Sequence, residues 1–157
     1  MNNRGLTLTE LMVVIVIISI LVGVAGYTLR GRMMGYRVEN QVKGMYADLM
    51  NARARAMQQN RIHFIQVTAN TYQIIEDTNE NSANNAGAGD DTIINRALQY
   101  PLLAFPAAIT MNTRGLITPD TQIQVDIGNN VVDYDCFVLS TTKINIGQWV
   151  GGACVVK

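Results

Sequence analysis

Residues 11–29 read LMVVIVIISILVGVAGYTL and contain no charged side chain. At about 1.5 Å of rise per residue, a helix of this length spans roughly 28 Å, close to the hydrocarbon thickness of a bilayer. Runs of Val and Ile form poor helices in water, but in lipid the backbone groups must pair within the segment. This stretch therefore predicts a membrane helix near the N-terminus.

The residues around this stretch allow three interpretations. An ordinary secretory signal would be cut after Ala25, where Gly23 and Ala25 are suitably small, and would release a soluble binding domain. Against it stands Glu10, an acid directly before the apolar run, where such signals are basic. A plain N-terminal anchor leaves Glu10 unexplained. The third interpretation explains both Glu10 and the residues before it.

A short basic leader precedes the apolar run. It reads Met1-Asn2-Asn3-Arg4-Gly5 and is followed by Leu6-Thr7-Leu8-Thr9-Glu10-Leu11-Met12-Val13-Val14. This pattern resembles the prepilin motif of type IV pilins and type II secretion pseudopilins. In that family a prepilin peptidase cuts after the Gly of the leader, the new N-terminus is methylated, and a Glu stands at the fifth mature position. The resemblance implies cleavage between Gly5 and Leu6, methylation of Leu6, and a role for Glu10 in assembly. Leu6 departs from the usual Phe, and no Pro occurs near Tyr27, where pilins often carry one.

The role of Glu10 has two physical interpretations. A carboxylate is costly in an apolar environment, so something should offset its charge. After cleavage, the free N-terminal amine of a neighbouring subunit can pair with Glu10, and this pair would set the axial step between subunits. Alternatively, Glu10 sits at the membrane interface, favoured by the positive end of its own helix. We favour the first interpretation, and the sequence alone leaves both open.

The resemblance also implies a location. It predicts a single-pass anchor in the bacterial inner membrane with the head in the periplasm, and then a place in a pilus or pseudopilus filament. The positive-inside rule disagrees, because Arg30, Arg32 and Arg37 follow the apolar run and only Arg4 precedes it. We give more weight to the leader motif and to the paired cysteines.

Apolar residues continue beyond the run at spacings of three and four, which is typical of an amphipathic helix. They are Val38, Val42, Met45, Leu49, Ala52 and Ala56. One helix from Leu6 to about Asn60 would be roughly 80 Å long, more than a compact domain of this size can hold. Its apolar part must therefore contact either lipid or the helices of partner subunits.

Beyond Asn60, short runs of strand-forming residues alternate with turn residues. The predicted strands are Ile62–Val67, Thr71–Ile75, Tyr100–Leu103, Ile123–Ile127, Tyr134–Ser140, Lys143–Ile146 and Ala153–Val156. A helix followed by consecutive strands predicts an α+β fold, with a long N-terminal helix packed on a C-terminal antiparallel β head. The predicted parts are a cleaved leader (1–5), a transmembrane and polymerisation helix (6–29), an amphipathic helix (30–60) and a β-rich periplasmic head (61–157).

The two cysteines, Cys136 and Cys154, lie in apolar, strand-like runs. An even count beside an export-type N-terminus favours a disulfide in an oxidising compartment, with two buried free thiols as the alternative. A metal site is not expected, because the chain has one His and no CxxC spacing.

The segment Asp77–Asp91 is polar and rich in Asn, Gly and Ala. Asp77, Asn79 and Asn81 fit the first ligand positions of a calcium loop, but Ser82 replaces the turn Gly and Ala88 takes the place of the bidentate Glu. An exposed mobile loop is therefore favoured over a calcium site.

His63 and Trp149 are the remaining residues whose chemistry could serve a functional site. His63 alternates with Ile62 and Phe64, which predicts a surface or half-buried sheet residue. Trp149 lies in a predicted turn, Gly147–Gly152, as a cover for the core or a contact for another subunit. No catalytic fingerprint or cofactor motif is present, so the chain is not expected to be an enzyme.

The functional prediction is a structural subunit. The run Asp48-Leu49-Met50-Asn51-Ala52-Arg53-Ala54-Arg55-Ala56, followed by strands and the Asp77 loop, resembles GspH/FimT-type pseudopilins and minor pilins. This implies other pilin or pseudopilin subunits as partners, and an assembly platform and ATPase acting indirectly. Residues 1–61 hold eight basic and three acidic residues, whereas residues 62–157 hold four and nine, which suits packing of head against stem. An alternative is a DNA-binding tip pilin that uses Arg53, Arg55 and Arg61, although few aromatic residues lie among them and Asp48 suits a solvated face.

Overall fold

The computed structural model describes residues 7–84, 89–106, 108–128 and 132–157, with the side chains of residues 25–32 and 104 left out. The predicted cleavage site, Gly5 and Leu6, lies outside the described residues. The chain divides into two compact units, residues 1–34 and Gly35–Lys157.

One helix, α1, extends from Leu8 to Gln59 and so belongs to both units. The apolar face predicted for its second half is buried, with every one of its six residues at most 4% exposed. Glu39 and Lys43 form an i,i+4 ion pair on this half of the helix, with Nζ of Lys43 3.3 Å from Oε2 of Glu39. The helix ends at Asn60, whose φ of 55° is the left-handed conformation common at helix C-termini.

Ten strands lie in the described residues. They are β1 (His63–Val67), β2 (Thr71–Glu76), β3 (Asp91–Ala97), β4 (Leu102–Ala104), β5 (Ile109–Met111), β6 (Ile117–Thr118), β7 (Thr121–Val125), β8 (Cys136–Leu139), β9 (Ile144–Val150) and β10 (Ala153–Val156). The first sheet has the order β3-β2-β1-β5-β6, and the second has the order β10-β9-β8-β7-β4. Every pairing is antiparallel. The predicted α+β fold is confirmed.

The core of the second unit lies between the helix and both sheets. Buried residues of α1 meet Ile65 and Ile74 of the first sheet, and Ile123, Phe137 and Leu139 of the second. Each of these strand residues is at most 2% exposed. The amphipathic half of α1 is therefore an integral part of the head.

Some of the predicted strands differ from those found. Strands β3, β5 and β6 were not predicted, and β9 extends to Val150, beyond the predicted end at Ile146. The predicted turn around Trp149 is wrong, because Trp149 pairs with Cys154 inside the β9–β10 ladder and the turn is confined to Gly151 and Gly152. Gly147 is needed within β9, since a Cβ there would collide with the carbonyl of Val155.

Candidate functional site

The N-terminus of α1 is closed by two residues that cap it reciprocally. The amide and the hydroxyl of Thr7 donate to Oε2 of Glu10 at 3.0 and 2.9 Å. In return, the amide of Glu10 donates to Oγ1 of Thr7 at 3.3 Å. This is the capping-box arrangement, which satisfies amides that the first turn of a helix leaves without partners. Within one chain, the carboxylate of Glu10 is therefore bound by Thr7.

The helix that follows this cap has an apolar surface on every side. Each residue from Leu8 to Val24 is exposed, and the large apolar side chains among them are between 50% and 78% exposed. Ser19, one of the few polar residues, donates its hydroxyl to the carbonyl of Ile15 at 2.8 Å. A contiguous apolar surface of this kind is not stable in water and indicates contact with another apolar phase or another chain.

The predicted membrane-spanning segment, residues 6–29, extends at both ends into residues or side chains that the structure does not describe. Among the helices of the described residues, none is long and apolar enough to cross a membrane.

The predicted disulfide is present and joins Cys136 of β8 to Cys154 of β10. These strands are not neighbours, because β9 lies between them. The amide of Cys154 also donates to Oε1 of Gln122 in β7 at 2.9 Å, which ties β10 to a further strand of the second sheet. The bridge therefore holds the edge strand β10 to the body of the head.

Asp48 is not on a solvated face, contrary to the prediction. It is 7% exposed, accepts hydrogen bonds from the hydroxyl of Tyr72 and from Nη2 of Arg96, and forms an ion pair with Nε of Arg96. Burial, and then the hydrogen bond to Asp48, raise the pKa of Tyr72, so the phenol stays protonated and donates. The triad connects α1 to β2 and β3.

Glu76 lies at the centre of a second ionic cluster, near the C-terminal end of α1. It is 3% exposed and pairs with Arg55 at 3.1 Å and with Arg61 at 2.9 Å. Burial disfavours its charge, but the hydrogen bonds from Arg61 and Arg55 outweigh this effect and lower its pKa. Two of the three arginines considered for DNA binding are thus engaged within the head, which weighs against that alternative.

His63 belongs to the same cluster, and its predicted exposure is wrong. The ring is fully buried, with Nδ1 3.3 Å from the carbonyl of Arg61 and Nε2 3.8 Å from Oε2 of Glu76. Burial lowers the pKa of His63 and favours the neutral ring. Strand β1 is central in its sheet and covered on both faces, so the alternation of its residues does not report exposure.

Asp77, the first residue considered as a calcium ligand, binds backbone amides of its own loop. Asp77 is 2% exposed and accepts hydrogen bonds from the amides of Asn81 and Ser82 at 3.2 and 2.8 Å. Asn79 likewise accepts from the amide of Asn81 at 3.1 Å. Ala88 lies outside the described residues. The described oxygens therefore fix a turn, and no group of three or more metal-ligating side chains occurs in the described part of the chain.

Residues 1–26 match the family model described as Prokaryotic N-terminal methylation motif. The motif is typical of type IV pilins and pseudopilins, and it implies processing by a prepilin peptidase and assembly with other pilin subunits. It suggests a membrane-anchored or pilus location. No curated protein and no solved structure matches the chain.

Sequence reasoning missed one residue of this site, Thr7. Its signal was present, because Thr7-Leu8-Thr9-Glu10 has the Ser/Thr-x-x-Glu spacing of a capping box directly before an apolar run. The matched motif contains Gly5, Leu6, Thr7 and Glu10 together, and the structure adds a contact between the last two.

Proposed function

We propose that this chain is a structural, non-enzymatic subunit of a type IV pilus or a type II secretion pseudopilus, and that it assembles through the first half of α1. The observation that carries the proposal is one continuous helix with two different surfaces. Leu8–Val24 exposes apolar side chains on every side, whereas Val38–Ala56 buries one apolar face in a folded head. A helix half that is packed into the folded head is thereby continuous with a half whose apolar surface requires a partner.

The methylation motif supports a maturation step that would prepare this helix for assembly. Cleavage between Gly5 and Leu6 by a prepilin peptidase would place a free, methylated amine one residue before Thr7. The helix would first be held by the inner membrane, with the head in the periplasm, and would then pack against other pilin or pseudopilin helices. An assembly platform and its ATPase would drive this transfer.

The carboxylate of Glu10 would have a hydrogen-bond donor both in the separate chain and in the filament. In the separate chain, Thr7 satisfies the carboxylate of Glu10. In the filament, the amine of a neighbouring Leu6 would provide a stronger, charge-assisted donor. A pair of this kind would fix the axial step, since a shifted neighbour leaves both charges without a partner. The resemblance to GspH/FimT-type proteins supports a minor pilin or an H-type pseudopilin.

The first test is the intact mass of the mature protein, isolated from the cells that produce it. A polypeptide that starts at Leu6 with one added methyl group supports the proposal. A polypeptide that starts at Gly26 would instead support a secreted binding domain and remove the assembly helix altogether.

The second test is Glu10→Val, with Glu39→Val as the matched control. Glu39 is a half-buried acid in the second half of the same helix, paired with Lys43, so the control removes a charge of equal size from the head. We expect Glu10→Val to be cleaved and methylated normally but to yield few or no filaments, whereas Glu39→Val assembles. Normal filament yield from Glu10→Val would disprove the role given to this residue.

A further inference from the structure

The two sheets of the head have edges of very different length. The second sheet ends in β10 and β4, and the first ends in β6 and β3. Three of these edge strands are short, with four, three and two residues, whereas β3 has seven. In the described part of the chain, no strand pairs with the outer side of β3. Long edge strands are the ones that accept an added strand from another chain.

A cleft lies between α1 and the C-terminal end of this edge strand, where Arg96 and Ala97 of β3 are joined by Tyr72 of β2. Its volume is about 390 Å³, and it is lined by Arg37, Asn40, Gln41, Gly44 and Met45 of the helix and by Tyr72, Arg96, Ala97, Leu98 and Gln99. Two of these residues are arginines, and none of them is acidic. The cleft therefore combines a strand edge, a partly apolar floor and a positive charge.

Arg96 is held in place at the cleft. Its Nη2 donates to Oδ1 of Asp48 at 3.2 Å, and its Nε lies 2.9 Å from Oδ2 in the same ion pair, while its side chain remains 62% exposed. Because the guanidinium is planar and one side of it is held by Asp48, the directions of its remaining N–H groups are fixed. It therefore loses little side-chain entropy when it binds another acid. Arg37 lines the same cleft, is exposed, and takes part in none of the ion pairs found in the described residues.

We infer that this cleft docks an extended, acidic segment of a neighbouring filament subunit, which adds to the outer edge of β3 and places a carboxylate between Arg37 and Arg96. The inference rests on the proposed function for the nature of the partner. Backbone hydrogen bonds along β3 supply affinity, and the two arginines supply selectivity for acid over base.

The test measures fluorescence anisotropy of a labelled eight-residue peptide of alternating Thr and Glu, titrated with the full chain in detergent micelles. A matched peptide of alternating Thr and Lys carries the opposite charge. We expect saturable binding of the Glu peptide that weakens as salt is added, and no binding of the Lys peptide at the same concentrations. Absence of binding by the Glu peptide, or equal binding of both peptides, overturns the inference.

Two pairs of variants locate the binding. A Cβ at Gly44 would meet no atom within 4 Å, so Gly44→Trp fills the cleft without disturbing the core, and Gly44→Ala is its control. Arg37→Gln removes a charge from the cleft, and Arg53→Gln removes one beside Gly115, away from it. We expect Arg37→Gln to weaken binding about tenfold, through the loss of one charged hydrogen bond. Gly44→Trp should weaken binding at least as much by obstructing the cleft, and both controls should bind normally.

Unfolding midpoints equal to that of the original chain establish that each variant is folded. Equal peptide affinity in Gly44→Trp and Gly44→Ala places the peptide elsewhere and overturns the inference. A chain that fails to bind the peptide, yet matures at Leu6 and assembles, leaves the proposed function standing without this docking site.

Discussion

The two halves of α1 have similar secondary structure and opposite surroundings. Every residue of Leu8–Val24 is exposed, although nearly all are apolar, whereas one apolar face of Val38–Ala56 is buried in the head. The first half is apolar around its whole circumference, and the second is apolar on one face only. Because the head covers this face, the buried apolar contacts of the second half are made within the head, whereas the apolar surface of the first half needs an environment from outside it.

The two halves of α1 therefore have different roles. The second half is needed for the stability of the head, and the first half is needed for contacts outside it. A substitution in either half should therefore change one property and leave the other intact. Four predictions test this separation, in order of decreasing expected effect.

The largest effect is expected from Leu49→Ala compared with Ile17→Ala. Leu49 is 3% exposed, so truncation leaves a cavity and should lower the free energy of unfolding of the head by about 3 kcal/mol. Ile17 is 51% exposed, so the same loss of atoms should leave unfolding of the head unchanged. The measurement is urea unfolding followed by the fluorescence of Trp149, the single Trp. Equal destabilisation by both variants would contradict the separation.

Removal of the disulfide should have a similar but somewhat smaller effect on the head. Cys136 and Cys154 are 18 residues apart, and a loop of this length restricts the unfolded chain by about 3 kcal/mol before strain is counted. The double variant Cys136→Ser with Cys154→Ser should lower the unfolding midpoint. Retention of leader cleavage in this variant would show that the N-terminal half acts independently, and an unchanged midpoint would contradict the prediction.

Acid should destabilise the head in two steps. The pKa of His63 is lowered by burial, so the unfolded chain takes up a proton before the folded one as pH falls below 6.5. The pKa of Glu76 is also lowered in the fold, so its stabilising effect is present above pH 4.5 and is lost as pH falls through the folded value. The unfolding midpoint should therefore fall between pH 7 and pH 5, and again below pH 4.5.

The variant His63→Phe separates these steps. It should flatten the first decrease and leave the second, whereas Glu76→Gln should reduce the second. An unaltered pH profile in His63→Phe would assign the first step to another group.

The smallest effect is expected at the N-terminal cap. Thr7→Ala removes the hydroxyl that bonds with Glu10, so the first turn of α1 should fray. Amide exchange of the first turn should be several-fold faster, while the unfolding midpoint of the head stays unchanged. Thr7→Ser keeps the hydroxyl and should exchange at the original rate. Slow exchange in Thr7→Ala would show that another group caps the helix.

Much of the fold could be predicted because its patterns are local. The spacing of Val38, Val42, Met45 and Leu49 identifies the buried face of α1, and runs of strand-forming residues between turn residues identify most of β1, β2 and β10. Strands β5 and β6 were missed because three and two residues are too few to show a period. Strand β3 was missed because it is an edge strand, and its polar, exposed residues show no alternation.

The candidate site was predicted in part, for the same reason. Glu10 and the leader residues stand out because they interrupt or precede a long apolar run, and the methylation motif includes them. The roles of Asp48, His63 and Glu76 were not predictable, because each depends on partners from distant parts of the chain.

The sequence by itself determined that an apolar helix follows the acid Glu10, that this helix continues into an amphipathic half, and that two cysteines lie in strand-like runs. These properties follow from residues close together in the chain, at the helical spacings of three and four or the strand spacing of two, so the sequence shows them directly. Only the tertiary structure decided which charges are buried and paired, which strand forms the long open edge, and that Thr7 holds Glu10. Those outcomes depend on contacts made when strands and helix pack, and such contacts leave no regular spacing in the chain.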